Sequence, residues 1–153
     1  MGGLHIQQID MAGLSMRSRD EVIQDFTRQW FKKAETDLLA AQTLAEANSR
    51  DYFPSAFHSQ QACEKFLKAY LVRHQIEFRK THDLGHLLNL ISLADPKIQD
   101  ELNSCVWLTP YGVEFRYPGE FLDVNQATAR EALAEAKKVR SAILERLKAY
   151  LSE

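Results

Sequence analysis

The sequence contains only two cysteines, Cys63 and Cys105, and they do not form a CxxC pair. A disulfide framework or a zinc site needs more thiols at closer spacing, so we predict two buried thiols in a reducing compartment. Glycine and proline are also few, at six and four of 153 residues. This composition excludes collagen-like and low-complexity chains and indicates an ordinary globular protein.

Neither sign of charge dominates, since the formal net charge is -2. No global positive field therefore draws the chain to nucleic acid or anionic lipid, and any RNA contact must be local. The sequence also lacks the apolar core of a signal peptide and any run of 18 apolar residues. We expect a cytoplasmic protein without membrane contact.

Recognisable catalytic motifs are absent too: there is no P-loop, dinucleotide-binding fingerprint, nucleophile elbow or pair of catalytic carboxylates. A chain of this length is the size of one domain. Residues 1–19 have no helical or alternating period and hold three of the glycines, so we interpret them as an N-terminal extension. Residues 20–153 are then the domain itself.

Apolar residues recur at three- and four-residue steps through most of that domain, and no strand pattern occurs. This periodicity predicts an all-α, antiparallel up-and-down bundle of about five helices with short links. The predicted helices cover 20–47, Tyr52 to His74, Leu84 to Leu93, Asp95 through Trp107, and Asn125 to Leu151. Residues 108–123 between the last two are predicted to be an aromatic-rich loop.

The loop contains Arg116-Tyr117-Pro118. Pro118 keeps Tyr117 out of the helical region, so the arginine can fork onto a phosphate while the tyrosine ring stacks on a base. The alternative is that Arg116 only satisfies loop carbonyls and Tyr117 closes the bundle.

The second helix has a polar side that includes Lys65 and Lys68. These lysines are either part of a solvated face with Gln61 and Glu64, or they help Arg116 to form a small basic cleft for phosphate.

The connection after the second helix holds His82 and Asp83. We expect His82 to hydrogen-bond locally and tie this connection to the bundle, and either Thr81 or Asp83 to cap the third helix. His82 and His86 have the spacing of a metal pair, but no third ligand is apparent nearby, so no metal site is predicted.

Three segments in this order and spacing resemble the HEPN family, across about residues 26 to 150. They are Ala34-x-x-Asp37-Leu38; Gln61-Ala62-Cys63-Glu64-Lys65-x-Leu67-Lys68-Ala69 with Thr81-His82-Asp83-Leu84; and Phe115-Arg116-Tyr117-Pro118.

The resemblance implies a helical bundle that pairs as a homodimer, is encoded beside a small nucleotidyltransferase and, in many members, acts as an RNA-cleaving toxin. That ribonuclease activity uses an arginine followed, after four to six residues, by a histidine. Arg116 aligns with the arginine, but Phe121, Leu122 and Asp123 occupy the positions where the histidine would fall. Arg79 and His86 have the same spacing on the wrong segment.

We therefore expect a nucleotide- or RNA-binding module of a toxin–antitoxin-like pair rather than an enzyme. Its binding residues would be Arg116, Tyr117, Lys65 and Lys68, with no cofactor. Two alternatives stay open: a metal-independent endoribonuclease that uses Arg116 with an unrecognised base, and a structural adaptor without a ligand.

Overall fold

The structure, a computed structural model, describes residues 16–113 and 123–153. All regular structure in these residues is helical, which confirms the predicted all-α bundle. The elements are α1 (Arg19–Glu46), α2 (Phe53–Arg73), α3 (Leu84–Ser92), α4 (Lys97–Leu102), a 3-10 segment (Asn103–Gly112) and α5 (Gln126–Leu151).

The helix ends follow from local chemistry. Ser18 and Glu21 form a capping box at α1, in which each side chain accepts a hydrogen bond from the other residue's backbone N–H. Helix α2 ends where Gln75 adopts a positive φ of 55° and Ile76 N donates to Leu71 O at 2.9 Å. This is a Schellman arrangement, here with glutamine in the left-handed position where glycine is usual. Asn125 caps α5 by accepting from Thr128 N at 2.8 Å.

Helix α2 lies at the centre of the bundle, in contact with α1, α3, α5 and the 3-10 segment. Alanines along α1 and α5 are fully buried, as at Ala34, Ala41 and Ala136, so the helix backbones approach closely. The Phe31 and Phe66 rings meet edge to face at 5.0 Å in the core between α1 and α2. Because α2 has neighbours on most sides, some of its polar residues must be buried.

One predicted element is wrong in its extent. The fourth α-helix was expected to run through Trp107, but it ends at Leu102 and a 3-10 helix continues to Gly112, inside the expected loop. Pro110 gives a physical reason, since it lacks an N–H and its ring would clash with the carbonyl four residues earlier in an α-helix. A tighter 3-10 helix therefore replaces the last turns of the predicted α-helix.

Within residues 16–113 and 123–153, no helix has the length and apolar character that crossing a membrane requires.

Candidate functional site

Gln60, Glu64 and Lys68 occupy every fourth position of α2 and form one buried row, which we call the polar stripe. Lys68 Nζ donates to Glu64 Oε2 at 2.8 Å, and the side chains are only 7% and 5% exposed. Glu64 Oε1 accepts from His82 Nδ1 at 2.7 Å. The solvated-face alternative is therefore wrong for Glu64 and Lys68, because α2 has packing partners on that side.

The polar stripe also holds the backbone of the connection between α2 and α3. Gln60 Nε2 donates to the His82 carbonyl at 2.9 Å, and Lys68 Nζ donates to the Thr81 carbonyl at 3.2 Å. Asp83 Oδ1 accepts from His86 N and caps α3. His82 thus contacts Glu64, 18 residues away on α2, and of the two candidate caps Asp83 is the one that accepts from the α3 backbone.

The Lys68 ammonium has two further neighbours, the rings of Trp30 and Phe78, at 5.6 and 5.7 Å from their centroids. Such cation–π contacts favour a desolvated ammonium group. Lys68 is therefore surrounded by a carboxylate, a carbonyl and two rings, and little of it faces solvent.

A second cluster on the same helix repeats this arrangement. Asp37 of α1 accepts from His58 Nδ1 at 2.8 Å with one oxygen and from Lys65 Nζ with the other. Lys65 is 23% exposed, so a ligand reaches it more easily than Lys68. His58, for which no partner was expected, is thus held by a carboxylate 21 residues away.

The 3-10 segment runs alongside the polar stripe. Thr109 Oγ1 accepts from Leu84 N at 3.2 Å, and Gly112 lies so close to Gln60 that a Cβ at Gly112 would be 2.4 Å from its side chain. A larger residue at position 112 would have to displace the Gln60 amide, which donates to the His82 carbonyl. After residues 114–122 the chain returns to the start of α2, where Val124 O accepts from Tyr52 N at 3.2 Å.

Arg116 and Tyr117 lie outside the described residues. The segment that contains them is joined at both ends to residues that contact α2, at Gln60 and at Tyr52. Of the predicted site residues, the structure brings Lys68, His82 and Asp83 together, whereas Lys65 belongs to the neighbouring Asp37 cluster.

Four aromatic rings form a row that includes Phe53 and Tyr111, the chain neighbours of Tyr52 and Gly112. The centroids of Phe57 and Phe53 are 6.5 Å apart, those of Phe53 and Tyr111 are 6.1 Å apart, and those of Tyr111 and Trp107 are 5.9 Å apart. Sequence reasoning missed this aromatic row: the four-residue spacing of Phe53 and Phe57 places them on one face of α2, but Tyr111 meets Phe53 from a distant part of the chain.

The two thiols are buried and free, as predicted. Burial raises the pKa of the Cys63 thiol well above its usual value, and a hydrogen bond with Cys105 adds to the effect. A thiol with a raised pKa is a poor nucleophile at neutral pH, so these cysteines belong to the core. Among the residues that the structure describes, no three histidine, cysteine, aspartate or glutamate side chains gather as metal ligands.

Comparison with known proteins identifies the family. The model of the HEPN domain matches residues 27–147, from the third turn of α1 to the last turns of α5. The chain belongs to the HEPN family. A relative in Methanocaldococcus jannaschii, named "Putative toxin MJ1304", is 31% identical over 140 residues, which cover 84% of this chain and 90% of the relative. No solved structure matches the chain significantly.

In this HEPN protein, polar contacts join the segments that carry the family resemblance. Asp37 of the first segment binds Lys65 of the second, and Glu64 and Lys68 of the second bind His82 and Thr81. These residues form two polar clusters on α2, one with α1 and one with the connection to α3. Sequence similarity and geometry point to the same region of the molecule.

Proposed function

We propose that this HEPN protein is the toxin-type member of a two-protein pair and that it binds RNA or nucleotide phosphate beside α2. Arg116 and Tyr117 make the main contacts, Lys65 contributes a partly exposed ammonium group, and Lys68 supports the site from within the bundle. The partner is a small nucleotidyltransferase. Membership of the family and the toxin-like name of the relative support the coarse role.

The observation that carries the proposal is the close approach of Gly112 to Gln60. It brings the chain against α2 four residues before Arg116, on the helix that also presents Lys65. The Tyr52–Val124 hydrogen bond anchors the other end of the same segment.

The two lysines contribute unequally. Lys65 shares Asp37 with His58 and is partly exposed, so a phosphate oxygen reaches it directly. Lys68 is buried against Glu64, which balances its charge, so it contributes through its hold on the Thr81 carbonyl. Lys65→Ala should therefore weaken phosphate binding without unfolding the domain.

Arg116→Ala tests the proposal. A charge-assisted hydrogen bond contributes about 1.5–3 kcal/mol, so the affinity for a short fluorescent RNA should fall about tenfold or more. Arg116→Lys should retain part of the affinity, since it keeps the charge but loses the planar fork. Fluorescence anisotropy measures both variants, with circular dichroism to check the fold.

Arg28→Ala is the matched control. Arg28 lies at the opposite end of the bundle, where it donates to the Leu151 carbonyl at 3.0 Å, and it should leave RNA affinity unchanged. If Arg116→Ala unfolds the protein and the wild type binds neither RNA nor nucleotide, Arg116 is a loop brace and the proposal fails. The partner is tested by coexpression with a small nucleotidyltransferase, which should yield a stable complex on gel filtration.

A further inference from the structure

A groove opens at the end of the bundle where α1 begins and α2 ends. Its volume is about 360 Å³, within the range of pockets that hold small ligands. Most of its wall is apolar and is formed by Val22, Ile23, Phe26, Leu71, Val72 and Ile76. Phe26 is 46% exposed, so a ligand with an apolar part would cover a ring that otherwise faces water.

One cation lies in this wall without a counter-ion. The Arg19 guanidinium donates to Gln75 Oε1, and among the residues that the structure describes it forms no ion pair. Arg19 Nε is buried and has no hydrogen-bond partner in the same part of the chain. A buried donor without a partner is costly, and a carboxylate would remove this cost because its two oxygens match the guanidinium fork.

Glu77 is the other charged residue of the groove. It is exposed, whereas Arg19 is only partly exposed and its Nε is buried. Water and salt screen an exposed charge more strongly than a partly buried one. The groove therefore presents an apolar wall with one effective positive group to a ligand.

Gln75 positions Arg19 at a conformational cost. Its φ of 55° lies in the left-handed region, where glycine is less strained than glutamine. The acceptor for the Arg19 guanidinium is the Gln75 side chain, which glycine lacks. Folding alone thus favours glycine at position 75, whereas a guanidinium held in the groove requires the amide.

We propose that this groove binds an aliphatic carboxylate, with the alkyl chain against α1 and α2 and the carboxylate on the Arg19 guanidinium. The single cation matches the one charge of a carboxylate better than the double charge of a phosphate monoester. The groove lies at the opposite end of α2 from Tyr52. The site is therefore separate from the proposed phosphate site and does not depend on it.

Octanoate and octanol test the two parts of the groove separately, because they share an alkyl chain and differ in the charged group. Isothermal titration calorimetry on the wild type should show saturable binding of octanoate and weaker binding of octanol. Arg19→Met keeps a long unbranched side chain but removes the charge. It should lower octanoate affinity about tenfold or more, the usual effect of losing a charge-assisted hydrogen bond, and leave octanol affinity unchanged.

Arg17→Met is the matched control. Arg17 lies two residues before Arg19, pairs with Asp25 at 3.3 Å and does not line the groove, so its loss should leave octanoate affinity unchanged.

Gln75→Gly separates positioning from folding. Glycine relieves the strain of the left-handed backbone, so the melting temperature should stay the same or rise. Octanoate affinity should nevertheless fall, because Arg19 loses the amide that holds it. A residue that served only to end α2 would not show this combination.

The proposal is overturned if octanoate binds no more tightly than octanol, or if Arg19→Met binds octanoate like the wild type. Octanoate binding that appears only after removal of residues 1–15 would assign the groove to that segment of the chain and would also overturn it. If Arg19→Met unfolds, Gln75→Gly decides: weaker octanoate binding by a folded variant supports the site, and unchanged affinity counts against it.

Discussion

Lys68→Met tests the energetic role of the polar stripe. The substitution keeps an unbranched side chain of similar length between the Trp30 and Phe78 rings, but it removes the ammonium group. Glu64 Oε2 then loses its hydrogen bond, and the Thr81 carbonyl loses the donor at 3.2 Å. A buried carboxylate is left with His82 as its only described partner.

The expected magnitude follows from this burial. Removing one member of a buried ion pair costs about 3–5 kcal/mol, because the other charge stays desolvated. His82 still binds Oε1, so we expect the lower end, about 3 kcal/mol. For a domain of this size, this loss lowers the melting temperature by about 6–12 °C.

Thermal and urea unfolding, followed by circular dichroism, measure the loss of stability, and Lys148→Met is the matched control. Lys148 pairs with Glu145 at the surface, where the side chains are 62% and 72% exposed, and its loss should hardly change stability. Adding Glu64→Gln to Lys68→Met should recover part of the loss, since a neutral amide is less costly to bury than a lone carboxylate. If Lys68→Met and Lys148→Met have the same melting temperature and the same urea midpoint, the argument from burial is refuted.

Two further predictions concern the rest of the chain. We expect a homodimer at tens of micromolar, because an aromatic-rich segment is costly to leave in water, and a monomer mass by light scattering would contradict this. Because residues 1–15 lack an apolar period, their removal should leave the melting temperature nearly unchanged, whereas Ser18→Ala should cost about 1 kcal/mol through loss of the cap. A drop of several degrees without residues 1–15 would indicate that they pack on the domain.

The long helices could be predicted closely from the sequence. The first was expected over 20–47 and spans Arg19–Glu46, and the last was expected from Asn125 to Leu151 and spans Gln126–Leu151. Their apolar stripes repeat with the helical period over many turns, and capping residues mark their starts. The 3-10 segment was missed because a few residues around a proline carry no comparable period.

The site was harder to predict, because its contacts join residues that are distant in sequence. His82 and Glu64 are 18 residues apart, and Lys65 and Asp37 are 28 residues apart. From the local pattern only the Glu64–Lys68 pair could be predicted. It was expected to be solvent-exposed and therefore to contribute little free energy. The assumption that every helix has one solvent-exposed face fails for α2, because four elements pack around it.

The burial of this ion pair bears on function as well as on stability. A well-packed hydrophobic replacement for a buried pair is often as stable as the pair or more stable, so folding alone does not require Glu64 and Lys68. What an apolar pair would lose is the carboxylate that fixes the His82 tautomer and the donor that holds the Thr81 carbonyl. The structure therefore retains a charge arrangement whose distinctive product is an oriented, half-exposed imidazole.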